Sequence, residues 1–119
     1  MTQYLVLLPS PEGRYATATE QEKQDLHTAH TEFVELLERR GHKRLGGAQL
    51  VPSSQGRVVR GSALDDVTLT DGPYAESAEQ LAGYYLVESD DVDDLAQVCG
   101  RLLATPFHPA IEIRPTVGM

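Results

Sequence analysis

Two short stretches carry apolar residues on both of their alternating faces, and this narrows the possible folds more than any other feature. From Tyr4 to Leu8, residues Tyr4, Val6 and Leu8 point one way and Leu5 and Leu7 the other, before Pro9-Ser10-Pro11 ends the run. From Gly83 to Glu88, Tyr84 and Leu86 oppose Tyr85 and Val87. A strand with one face in water alternates apolar with polar residues. A strand without a polar face belongs near the middle of a sheet that is covered on both sides. The fold must therefore find two covering layers.

Two amphipathic helices can provide one of them. Thr19-Glu20-Gln21-Glu22 is a capping-box pattern and Gly41 a helix stop, which predicts a helix near 20–40. Leu26, His30, Phe33 and Leu37 fall at i, i+4, i+7 and i+11, the buried stripe of such a helix, and Ala29, Val34 and Leu36 widen it. His30 lies inside that stripe. Asp90 is predicted to cap a second helix, with Asp91, Asp93 and Asp94 in its first turn, where the helix dipole favours carboxylates. Val92, Leu95, Cys99 and Leu102 form its stripe, and Thr105-Pro106 ends it.

Further strands are predicted from Arg44 to Val51 and from Ala110 to Arg114. In the latter Ile111 and Ile113 oppose Glu112 and Arg114, as at a sheet edge. Gln55 to Leu64 and Val67 to Thr70 read as a hairpin turning near Asp65-Asp66. Asp71-Gly72-Pro73 breaks the second arm, and Tyr74 to Gln80 reads as a loop or a helical turn. The order predicts an α+β chain, a ferredoxin-like βαββαβ arrangement with an extra β-hairpin. Two helices cover one sheet face, and nothing else remains for the other. A second copy of the same sheet would cover it, so a homodimer is expected.

Composition sets the remaining bounds. At 119 residues the chain has room for one core, and a single domain spanning 1–119 is expected. Hydrophobic residues make up 40% and charged residues 24%, a globular rather than disordered balance. With five Tyr, two Phe and no Trp, the core must be built mainly from Leu, Val and Ala. A net charge of -8 and a pI near 4.8 argue against nucleic acid and against an anionic membrane surface, both of which need clustered Lys and Arg. No apolar run reaches the roughly 20 residues of a membrane span, and no basic segment precedes the first apolar run as in a secretory signal. Cys99 is the single cysteine, which excludes an internal disulfide. These features suit the cytoplasm.

The run Thr70-Asp71-Gly72-Pro73-Tyr74-Ala75-Glu76, followed by Glu79-Gln80-Leu81 and Gly83-Tyr84-Tyr85-Leu86, resembles the signature of the YCII-related proteins known as DGPF proteins, with Tyr74 where Phe is commoner. Ala29-His30, Gly46-Gly47 and Glu112-Ile113-Arg114-Pro115 match as well, so the resemblance spans essentially the whole chain. It implies the dimeric α/β-barrel fold, in which two ferredoxin-like subunits pack sheet against sheet. Proteins of that fold include isomerases, cofactor-free monooxygenases, haem-degrading enzymes and ligand-sensing modules, so fold narrows function little. Some DGPF proteins are associated with extracytoplasmic-function sigma factors. The smaller YCII proteins pair a helix His with an Asp just before a Pro near the end of the second helix. His30 matches that His, but Thr105 precedes Pro106, so any carboxylate partner must come from elsewhere.

His30 is the first candidate for chemistry, because an imidazole beneath a cavity titrates near working pH. A core histidine bonded only to backbone is the alternative. Asp71 is the second, as an orienting carboxylate for His30 or simply as the cap of its own turn. Tyr84, Glu76 and Tyr74 are candidates for contact with a substrate, and Tyr85 is a weaker one. His27 and His30 are three apart on one helix, but no further ligand stands at zinc spacing, and Asp90 to Asp94 lacks the glycine and glutamate of a calcium loop. Gly46-Gly47 opens no helix and forms no phosphate loop. Cys99, on an apolar stripe, reads as a buried inert thiol. No metal and no cofactor are expected. Two readings of function stand: a homodimeric, cofactor-independent enzyme that binds a small, partly apolar molecule in a cleft between the sheet and the first helix, with His30 as general acid or base; or a non-catalytic ligand-binding or regulatory module whose Asp71-Gly72-Pro73-Tyr74 segment docks a ligand or a partner protein.

Overall fold

The computed structural model describes residues 1–118. Its strands are β1 (Thr2–Pro11), β2 (Lys43–Gln49), β3 (Arg57–Ala63), β4 (Asp66–Asp71), β5 (Glu79–Ser89) and β6 (Glu112–Pro115), with helices α1 (Glu20–Arg39) and α2 (Val92–Leu103). A four-stranded sheet runs in the order β2-β5-β1-β6, every neighbouring pair antiparallel, and β3-β4 forms a separate two-stranded ribbon. This α+β order is compatible with the ferredoxin-like arrangement. The two strands with apolar faces, β1 and β5, are the central pair.

Both helices pack on one face of that sheet. Val6, Leu8 and Val87 from the strands meet Ala29, Phe33 and Leu37 from α1 and Leu95, Val98, Cys99 and Leu102 from α2, all buried. Ile111 and Ile113 pack against the same core, as their spacing predicts. Cys99 is sealed in it, and burial pushes its thiol up to about 11, which leaves it protonated and unreactive at neutral pH. The opposite sheet face carries Leu5, Leu7, Tyr84 and Leu86, all half-buried with no helix over them. Val59, Val67 and Leu69 of the ribbon are more than half exposed.

Helix starts follow local chemistry. Thr19 accepts from Glu22 N–H, and the Glu22 carboxylate accepts from Thr19 N–H, a complete capping box. At α2 the cap is Asp91 rather than Asp90: its carboxylate accepts from Asp94 N–H at 3.1 Å, because the helix starts at Val92 and only the residue just before it can reach that N–H. Several strands are longer than the pattern predicts. β1 continues through Pro9 and Pro11, with the register shifting between Leu8 and Pro9, so a bulge absorbs the missing proline donor. β5 likewise begins at Glu79, where the sequence suggests a loop.

A buried polar clasp ties three elements together away from the core. His42 Nδ1 lies 2.8 Å from Ser89 Oγ, and His42 Nε2 lies 2.7 Å from Asp94 Oδ2. Arg40 donates to the other Asp94 oxygen at 2.9 Å. The hydrogen bond from His42, with Arg40 adding to it, holds the Asp94 carboxyl below the usual carboxylate range. Ser89 and His42 are sealed from solvent, and Ser89 Oγ is also held between the Asp91 N–H and C=O, so this Ser-His-Asp set fastens β5, the turn leading into β2 and α2 rather than presenting a nucleophile.

Candidate functional site

His30 occupies the edge of the α1 stripe, half-buried, where the helix leaves the centre of the sheet. Its neighbour Phe33, one turn on, is fully buried and packs on the Tyr85 ring at 4.9 Å between centroids. Tyr85 rises from β5 on the helix-covered face, next to Val87 in the alternation, and its hydroxyl reaches His30 Nδ1 at 2.6 Å. Gly47 of β2 pairs with Tyr85, and a Cβ there would lie 2.8 Å from Tyr85 Cδ1 and 2.7 Å from the Tyr84 carbonyl oxygen. The second glycine of Gly46-Gly47 is thus the space in which the tyrosine ring lies.

The other imidazole nitrogen, His30 Nε2, faces Nε2 of His108 at 3.4 Å, the rings edge to face. His108 lies between α2 and β6, is only 4% exposed, and has its Nδ1 3.2 Å from the Pro9 carbonyl oxygen. Sequence reasoning missed this residue. Phe107-His108-Pro109 has no helical or strand period to give it a facing direction, and a histidine beside a proline is an ordinary loop feature. Thr105, where the smaller relatives have their carboxylate, uses its hydroxyl on the Leu102 carbonyl at 2.8 Å.

An open groove of about 330 Å³ runs along this edge between α1 and the sheet. His27, His30, Val34 and Glu35 line it from α1, Arg44 from β2 and Tyr85 from β5. Arg44 makes no ion pair among the described residues, while Arg14, Arg40, Arg101 and Arg114 are each bridged to a carboxylate. The groove therefore joins an apolar wall at Val34, an unpaired guanidinium, and a phenol and imidazole in hydrogen-bond contact. Such a set can orient a small molecule with an acidic group and move a proton at it.

Burial, with repulsion from His108 and His27 in their charged forms, lowers the His30 pKa to about 4. Burial also lowers that of His108, partly offset by the Pro9 carbonyl. Burial raises the Tyr85 phenol, with Arg44 pulling the other way. At neutral pH His30 is an uncharged imidazole, able to accept a proton. Its unfolded value near 6.5 lies above the folded one, so between those limits the unfolded chain binds more protons and stability rises with pH. The contribution is complete above about pH 6.5 and is lost as pH falls toward about 4. Urea midpoints at about pH 7 and about pH 4.5 should therefore differ less in His30→Gln than in the parent. Equal differences in the two proteins would contradict this account.

Of the residues singled out in the sequence, the structure brings His30, Tyr85 and His27 to this groove, and leaves Asp71, Tyr74, Glu76 and Tyr84 outside it. Tyr84 faces the uncovered side of the sheet, because neighbours in a strand point to opposite faces, and Tyr85 takes the helix side. Asp71 ends β4, exposed, opposite Arg57 in the ribbon, and it is not among the partners of His30. The expected backbone hydrogen bond to its carboxylate is also missing among the described residues. The turn after it is made instead by a cis Gly72-Pro73 peptide and by Gly72 N–H donating to the Gly56 carbonyl at 2.7 Å. Tyr74 is 83% exposed and Glu76 is exposed, both outside the groove. Among the described residues no three His, Cys, Asp or Glu side chains cluster as a metal site would, and no helix is long and apolar enough to cross a membrane.

Comparison with known proteins agrees with the motif. The family model described as the YCII-related domain matches residues 2–107. An uncharacterized protein of Rhizobium meliloti (strain 1021) is 33% identical over 94 residues, covering 77% of this chain and 70% of the relative.

Proposed function

The chain belongs to the YCII-related domain family, and we propose that it binds a small, partly apolar organic acid in the groove between α1 and the sheet, with His30 as general acid or base of a cofactor-independent proton transfer. The observation that carries this reading is the contact between a neutral imidazole and a tyrosine hydroxyl at 2.6 Å, both lining an open groove that also holds an unpaired arginine. Val34 supplies the apolar wall, and Arg44 the charge that would meet a carboxylate. The working unit is a homodimer, supported by the uncovered apolar sheet face and by the dimeric barrel implied by the family resemblance.

The test is a screen of small aliphatic and aromatic carboxylic acids by amide chemical-shift perturbation. Binders should move the signals of His30, Arg44 and Tyr85, and His30→Gln should weaken them about tenfold or more while its circular dichroism stays that of the parent. No shifts at the groove, or equal affinity in the variant, would overturn the proposal. A second reading, a regulatory module that docks a partner through residues 71–74, is supported by the exposure of Tyr74 on that segment. It predicts His30→Gln without effect and Tyr74→Ala with one.

A further inference from the structure

We infer that Tyr85, rather than His30, presents the atom that exchanges a proton with a molecule in the groove, and that His30 and His108 form a relay behind it whose direction is set by the Pro9 carbonyl. A carbonyl oxygen can only accept, so His108 Nδ1, 3.2 Å from Pro9 O, carries the hydrogen. A neutral imidazole has one N–H, which leaves His108 Nε2 a bare lone pair. The facing His30 Nε2, 3.4 Å away, makes a favourable contact only as a donor. His30 Nδ1 is then the acceptor, and at 2.6 Å the Tyr85 hydroxyl donates to it. One backbone oxygen thus assigns every proton in the chain Tyr85, His30, His108, Pro9.

Both nitrogens of His30 are occupied in this arrangement. Within the relay, the Tyr85 oxygen alone keeps an open lone pair beside the groove. A proton leaving a ligand passes to that oxygen as the phenolic hydrogen passes to His30 Nδ1. One ligand–H bond and one O–H bond break while one O–H and one N–H bond form. The ligand keeps its electron pair as an anion beside Arg44, and His30 becomes an imidazolium whose Nε2–H remains held by His108. Reversing the step at another ligand atom returns the proton, so the net reaction can be an isomerisation. His108 is a positioning residue: it decides which nitrogen of His30 faces the tyrosine. Its low exposure keeps water from competing for that contact.

This inference rests on the groove being a ligand site, but its proton assignments can be read without any ligand. In the protein with nitrogen-15 histidine, long-range proton–nitrogen correlation at neutral pH should show His30 as the Nε2–H tautomer and His108 as Nδ1–H. His108→Phe should release His30 to a tautomer mixture. His108→Gln, whose amide oxygen can accept, should keep His30 as Nε2–H and covers the case in which the phenylalanine variant does not fold. His30 found as Nδ1–H in the parent, or unmoved by His108→Phe, overturns the relay.

The role of Tyr85 is read with phenylacetate as probe. A carboxylate that takes the Tyr85 hydroxyl as donor leaves His30 Nδ1 to pick up a proton. Calorimetry in two buffers of different ionisation enthalpy should therefore show proton uptake on binding, lost in Tyr85→Phe along with roughly tenfold in affinity. The charged and titratable groups facing this ring are His27 and Glu35 from α1, Arg44 from β2, Tyr85 from β5 and His108 from the loop after α2. Uptake that persists unchanged in Tyr85→Phe would make His30 itself the contact and overturn the assignment. Failure of phenylacetate to bind counts against the organic-acid reading alone, and the tautomer measurement then decides the relay.

Discussion

Truncating Phe33 to alanine is expected to lower stability by about 3–5 kcal/mol, the largest loss from any single truncation in this chain. Phe33 has no solvent exposure and lies among Val6, Leu8, Val87, Leu95 and Leu102, where the sheet and both helices converge. The chain has only one other phenylalanine and no tryptophan, so little else can move in to fill a void of that size. A domain of this length is stable by about 5–15 kcal/mol, so the variant should remain folded at low temperature but with a much reduced urea midpoint. Because the Phe33 ring also backs Tyr85 at 4.9 Å, the Tyr85 ring signals should broaden in the same variant. A measured loss below about 1.5 kcal/mol would mean that the site collapses, and that the core is not centred on this residue.

Placing a charge on the uncovered sheet face should halve the mass of the particle in solution. Leu86 is paired with Leu5 across the central strands and with Gly46 on the other side, so its side chain lies amid Leu5, Leu7 and Tyr84 on the face that neither helix reaches. A dimer formed across this face would bury well over about 1,000 Å², the size of a specific interface. The parent should then scatter light with twice the 13.0 kDa mass of one chain at micromolar concentration. Leu86→Asp buries an unpaired carboxylate in the dimer but leaves it in water in the monomer, a difference of several kcal/mol that drives dissociation. Its far-ultraviolet circular dichroism should match the parent, since the helix-covered core is untouched. A parent protein that scatters as one chain would end the dimer proposal.

Much of the local architecture was legible because its causes are local. The Thr19–Glu22 capping box closes over three residues, and the apolar stripes of α1 and α2 follow from the helical period with no knowledge of what they cover. Chain ends and strand lengths were less so. Pro9 and Pro11 read as breakers, yet β1 continues through them because a bulge and partners in β5 absorb the missing donor. The α2 cap lies one residue beyond Asp90, since the run Asp90-Asp91 offers two equivalent caps and only the geometry of the first turn selects one.

The candidate site divides along the same line. The placement of His30 in an apolar stripe, the lack of a polar face on two strands and the inability of Thr105 to supply a carboxylate all follow from residue order alone. Alternation also required Tyr84 and Tyr85 to face opposite ways, but which of them met α1 depended on which sheet face the helices cover. That Tyr85 is the partner, that Asp71 ends in the ribbon away from His30, and that His108 completes the chain to Pro9 all depend on the folded arrangement. The contact between His30 and His108 joins residues 78 apart, made when the chain closes from α2 to β6 and brings the intervening loop against the middle of α1. Periodicity records which side of an element is apolar. Contacts between loops and distant elements depend on how the whole chain closes, and no local pattern carries that information.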